Sequence, residues 1–175
     1  MTHTGARVTV TEIESLYQIG VAGGGLSKQP AWLGIMAHAV AELPKGCQGK
    51  AANKLLATIL RKAGVRVTSE VAVSPWSAHS VDFLIVSDEG KVGVEFGTGQ
   101  AERVELDLLK LITLALQREI NCACLILPQN VTRHSVMGKQ KMQTAVENLA
   151  IMCSPLLTFI QKQSGLKDIV IIWYA

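Results

Sequence analysis

Hydrophobic and polar positions divide most of the chain into recognisable elements. Trp32, Ile35, Met36, Ala39, Val40 and Leu43 recur at three- and four-residue intervals behind Pro30, and Pro44 stops the run, which predicts a first helix. Between Gly49 and Ala63, Ala52, Leu55, Leu56, Ile59, Leu60 and Ala63 form one apolar stripe, and Gly64 suits a helix C-terminus. The period then drops to two. Val65, Val67, Ser69, Val71 and Val73 alternate with Arg66, Thr68, Glu70 and Ala72, predicting a strand with one more polar face. From Ser80 to Gly97, two β-rich runs flank the turn-forming Ser87-Asp88-Glu89-Gly90. Helical spacing returns from Glu102 to about Glu119, so broadly apolar that it predicts a buried helix. Cys122 to Leu127 predicts an interior strand, residues 138–152 another helix, 155–161 a short helical turn, and Ile169 to Tyr174 a closing strand. Residues 7–19 carry weak signals. Gly23-Gly24-Gly25 is a turn, lacking the Gly-Lys-Ser/Thr that completes a phosphate loop. The order helix, helix, three strands, helix, strand, helix, strand predicts an α/β fold: an antiparallel meander continued by a crossover into a mixed β-sheet flanked by helices.

The hairpin carries the most chemical information. If its loop holds two or four residues, Phe83 lies opposite Val94, Ile85 opposite Val92, Val81 opposite Phe96, and Asp82 opposite Glu95. Val81, Phe83, Ile85, Val92, Val94 and Phe96 then share an apolar face, and a one-residue slip would mix Glu95 into it. A three-residue loop with Gly90 left-handed is the competing turn. In the matched register the Cβ atoms of Asp82 and Glu95 are about 4.5–5.5 Å apart. Two such acids repel each other and take up a proton, or share a cation. The bland alternative is one solvated acid at the sheet edge and one engaged in a cap or salt bridge.

Composition adds bounds. A chain of 175 residues with 49% hydrophobic residues is long enough for one well-packed domain. The net charge of +3 permits nucleic-acid binding without arguing for it. The opening Met-Thr-His-Thr-Gly-Ala-Arg has no apolar signal core and no run reaches membrane-spanning length, so a soluble, cytoplasmic protein is expected. Cys47, Cys122, Cys124 and Cys153 form no Cys-x-x-Cys pair, so buried thiols are expected rather than zinc.

Val81-Asp82 and Val94-Glu95-Phe96-Gly97 resemble the motifs of the PD-(D/E)xK nuclease superfamily. That resemblance implies a restriction-endonuclease-like α/β fold, with the first carboxylate on the second strand and Glu-x-Lys or a variant on the third. A narrower likeness is to type II restriction enzymes cutting GATC-centred sites, some of which carry Phe-Gly before a helix with an Asp-x-x-Lys-Leu pattern. Here Phe96-Gly97 precedes Asp107-Leu108-Leu109-Lys110-Leu111. The similarity covers about residues 51 to 149, behind an N-terminal helical extension to about residue 48. The chain departs from the motif at Gly97, which stands where the lysine belongs; if Phe-Gly is aligned instead, Gly93 replaces a glutamate.

The resemblance implies a metal-dependent DNA endonuclease using Mg²⁺ or Mn²⁺, acting as a homodimer. Asp82, Glu95 and the Phe96 carbonyl are the candidate metal ligands. Gln100, just past Gly97-Thr98-Gly99, is the candidate for the missing polar group, since Lys91 on the same strand is some 14 Å from Glu95. Asn53 is a candidate for orienting water or metal, and His79 for a phosphate contact. Arg133, His134, Lys139 and Lys141, with no interspersed acid, are the candidate DNA-binding segment. The gapped motif also motivates an alternative: a catalytically impaired nuclease-fold protein serving in DNA binding or protein assembly.

Overall fold

The computed structural model describes residues 31–44, 47, 49–75, 78–97, 101–128, 159 and 162–174. In chain order the elements are α1 (Ala31–Ala41), α2 (Gly49–Lys62), β1 (Arg66–Ala72), β2 (Ser80–Ser87), β3 (Gly90–Phe96), α3 (Ala101–Leu116), β4 (Cys122–Pro128) and β5 (Asp168–Tyr174). The expected helix at 138–152 and most of the turn at 155–161 lie outside the described residues.

Both long helices end where local chemistry stops them. At the end of α2, the Val65 amide reaches the Leu60 carbonyl and the Gly64 amide reaches Arg61, with Gly64 at φ 82°; this pairing satisfies otherwise orphaned carbonyls. The same pattern closes α3 at Leu116, three residues before the end that its sequence suggests. Glu119 bonds back to Leu114 and Arg118 to Ala115, with Arg118 itself at φ 59°.

The strands form one sheet in the order β1-β2-β3-β4-β5. The first three pair antiparallel; β3–β4 and β4–β5 pair parallel, giving the mixed α/β sheet that the sequence predicts. The hairpin has the matched register: Phe83 opposes Val94, Ile85 opposes Val92 and Ser87 opposes Gly90, leaving Asp88-Glu89 as a two-residue loop. Gly90 takes up the turn at φ 136°. Glu89 Oε1 also accepts the first amide of α1 at 3.2 Å, tying the turn to that helix.

Two hydrophobic layers cover the sheet. Trp32, Met36, Leu56 and Leu60 of α1 and α2 pack on Phe83, Ile85, Val92, Val94, Phe96, Cys122 and Cys124. On the opposite face, Val104, Leu108, Leu111 and Ala115 of α3 pack with Ala123, Leu125, Leu127 and Ile171. Cys122 and Cys124 therefore share a face as buried free thiols.

Two details differ from the sequence reading. Val81 leaves the apolar face of the hairpin and packs in the α3 layer. On the neighbouring strand Glu70 adopts φ 53°, and the β1–β2 ladder skips one step there before the same register resumes at Val71↔Val81. Left-handed backbone at a non-glycine residue breaks regular strand geometry. Second, α3 is not buried all round, since Leu106, Leu109 and Leu116 are exposed.

Candidate active site

Asp82 and Glu95 come together just beyond the regular hairpin. The paired residues of β2 and β3 end at Phe83↔Val94, and one further step in that register opposes Asp82 to Glu95. There the ladder opens. The Phe96 N–H donates to Asp82 Oδ2 at 2.8 Å, so a side-chain carboxylate takes the backbone donor. On the other edge of β3, the Gly97 N–H donates to the Ile126 carbonyl at 2.8 Å and keeps the strand on β4. The splayed β2–β3 end and the first turns of α2 and α3 bound a cavity of about 200 Å³, lined by Asp82, Glu95, Phe96, Asn53, Asp107 and Lys110 with Lys50 and Arg103.

Lys110 of α3 brings a cation to these acids. Its Nζ lies 2.6 Å from Glu95 Oε1 and 2.9 Å from Asp107 Oδ1. It also donates to the Ser80 carbonyl at 3.3 Å. Helical spacing delivers the residue: Asp107 and Lys110 are one turn apart on one face of α3. Gly97, two residues after Glu95, is closely packed against β4. A Cβ on Gly97 would stand 2.5 Å from Leu127 Cδ2, so the β4 leucine fills the space a side chain needs there. Gly93 is constrained likewise: a Cβ there would stand 2.8 Å from both Leu111 and Ile120, so those side chains must shift to admit a larger residue.

The charges do not balance. Three carboxylates, Asp82, Glu95 and Asp107, surround one ammonium, with Glu95 and Asp107 buried. Burial pushes the Glu95 carboxyl up to about 8; the Asp82 and Asp107 charges add to the rise and Lys110 opposes it. Asp82 is also raised, chiefly by burial, against the lowering effect of the Phe96 amide and Lys110. Burial disfavours the Lys110 ammonium, but Glu95 and Asp107 outweigh that and hold its pKa above the ordinary value. Two acceptors in this cavity are incompletely served: Asn53 Oδ1 and Glu95 Oε1 are buried with no aligned hydrogen-bond donor, the Lys110 contact to Glu95 being an ion pair by distance. A structural ion pair is expected to satisfy its own lone pairs and balance its charge, because each desolvated ion costs on the order of several kcal/mol. Here Asn53 Oδ1 is left unpaired, and the acids outnumber the ammonium.

The arrangement suits a hard divalent ion. Among the described residues no group of three or more His, Cys, Asp or Glu side chains forms a metal cage. Mg²⁺ needs none, since it takes one or two carboxylates and fills its shell with waters and substrate oxygens. Asp82, Glu95 and the orphaned Asn53 carbonyl are such a donor set, and a dication offsets the carboxylate charge that is freed when Glu95 loses its proton. Asn53 thus joins the two acids, as the sequence suggests. His79 is exposed and does not line the cavity. Lys91 pairs with Glu119 at 3.5 Å, away from the site. Gln100 and the basic segment Arg133, His134, Lys139 and Lys141 lie outside the described residues.

Sequence reasoning missed Lys110, Asp107, Lys50 and Arg103 as site residues. For Asp107 a signal existed: it interrupts the buried stripe Val104, Leu108, Leu111, Ala115 with a charge. No protein-family model matches the chain, and no curated protein matches its sequence.

Proposed function

We propose that this protein is a Mg²⁺-dependent DNA endonuclease of the PD-(D/E)xK type, with Lys110 in the role of the motif lysine. The observation that carries this reading is the convergence of Asp82, Glu95 and Lys110 in one cavity, with Lys110 Nζ 2.6 Å from Glu95. Asp82 and Glu95, with Asn53 Oδ1 and the Phe96 carbonyl as further oxygens, would hold the cation. Bound there, it would supply Lewis-acid stabilisation of the phosphate and a more acidic water. Lys110 would meet the charge growing on the phosphate oxygens, which a fixed ammonium in a poorly solvated cavity does effectively. Lys50 and Arg103, exposed at the cavity rim with no ion-pair partner among the described residues, take the flanking DNA phosphates. Because cutting both strands takes two such centres, a homodimer is the working form.

The catalytically impaired alternative drew its motivation from Gly97. Lys110 weakens it, since the missing charge arrives from α3.

Supercoiled plasmid incubated with the pure protein and Mg²⁺ or Mn²⁺ tests the reading, with RNA as a parallel substrate. The wild type is expected to cleave DNA, whereas Asp82→Asn, Glu95→Gln and Lys110→Met are each expected to lose at least about 100-fold of the rate, as when a group stabilising transition-state charge is removed. Absence of cleavage and of cation binding in the wild type sinks the enzyme reading. Salt-sensitive DNA binding without cleavage favours the impaired alternative.

A further inference from the structure

The Lys110 ammonium has three donors and three oxygen neighbours from three elements: Glu95 on β3, Asp107 on its own helix and the Ser80 carbonyl on β2. Only the first of these is also a ligand in the cation-dependent reading above, on which the present inference rests. A dication on Glu95 repels the ammonium from the same carboxylate. Asp107 Oδ1 and the Ser80 carbonyl are the contacts left to hold it, and of these only Asp107 carries a countercharge.

We infer that Asp107 is a positioning residue that keeps the Lys110 ammonium beside Glu95 while a divalent cation shares that carboxylate. Asp107 acts through Lys110, because its Oδ1 is 2.9 Å from Nζ and is already engaged. The i, i+3 spacing on α3 sets this contact whatever occupies the sheet side of the cavity. Without the Asp107 charge, Glu95 is the one carboxylate left in contact with the ammonium, which then competes with the cation for it.

Calorimetric titration with Mn²⁺ alone, on the full chain and without DNA, tests this. Asp107→Asn is expected to weaken Mn²⁺ binding by about 10- to 100-fold, the usual effect of removing an outer partner of a metal site. Lys110→Met is expected to tighten it by removing the competitor. In the Lys110→Met background, the loss on adding Asp107→Asn shrinks to about twofold, as a double-mutant cycle reports for groups that act through one another. An Asp107→Asn loss of equal size in both backgrounds overturns the inference and makes Asp107 a direct ligand, while leaving the nuclease reading intact. Absence of Mn²⁺ binding to the wild type overturns both. A wild-type crystal soaked in Mn²⁺ gives a second readout that needs no variant to fold. Lys110 is expected to stay on Asp107 with the ion on Glu95; an Asp107 oxygen bonded to the ion overturns the inference.

Discussion

Glu95 sits 2% exposed with a carboxyl pKa pushed up to about 8, against 4.5 for an ordinary glutamate. The folded chain therefore holds a proton there that the unfolded chain releases. Stability from that proton is complete below about pH 4.5 and is lost as the pH rises through about 8. Urea unfolding of the cation-free protein is expected to show a midpoint that declines across this window. Glu95→Gln is expected to flatten the decline, and Mg²⁺ to oppose it by favouring the ionised acid. A midpoint independent of pH in the wild type counts against the raised carboxyl. Gly97 is the second residue whose identity packing dictates. Gly97→Ala forces its methyl against Leu127. It is expected to cost about 1–3 kcal/mol in urea unfolding, the usual range for overpacking. A variant as stable as the wild type shows that Leu127 can move aside.

At the scale of elements, the site is an intersection. β2 and β3 each contribute one acid, α2 contributes Asn53 and Lys50, and α3 contributes Arg103, Asp107 and Lys110. Each helix sends its first turns to the open end of the hairpin, where the β2–β3 ladder stops. Lys50 and Arg103 come from opposite layers, so a phosphate contact by both requires the ligand to lie across the cavity mouth. Each phosphate contact removed lowers the slope of log K against log salt by about 0.9. Anisotropy titrations of a labelled duplex in Mg²⁺-free buffer are therefore expected to lose about one unit of slope in Lys50→Ala and again in Arg103→Ala. Lys91→Ala, on the far end of β3, is expected to leave the slope unchanged. Unaltered slopes in both rim variants would move the DNA path elsewhere.

On the scale of the whole molecule, the nuclease proposed above has one such cavity among the described residues of each chain, and so one cut per chain. A homodimer is expected to convert supercoiled plasmid directly to linear product. Sedimentation at the assay concentration is expected to give about twice the 18.8 kDa chain mass. Accumulation of nicked circles by a species sedimenting as a monomer would replace the dimer with two independent encounters. Among the described residues no helix is long and apolar enough to cross a membrane.

Local pattern determined a good deal of this protein. Periodicities of 3.6 and 2 carry the helix and strand order, Gly64 marks a helix end, and the alternation of Phe83, Ile85, Val92 and Val94 selects one register, which brings Asp82 to Glu95. Each is a relation between residues close in sequence or joined by a short turn, where spacing and side-chain type suffice. Val81 escaped that logic because its packing partners come from α3 and β4, distant in sequence. Lys110 escaped it too. Its partner is 15 positions away, across a strand-to-helix crossover, and no spacing rule connects them. Only the packing of α3 on the sheet brings that ammonium to Glu95, and only the packing of β4 sets Leu127 against Gly97.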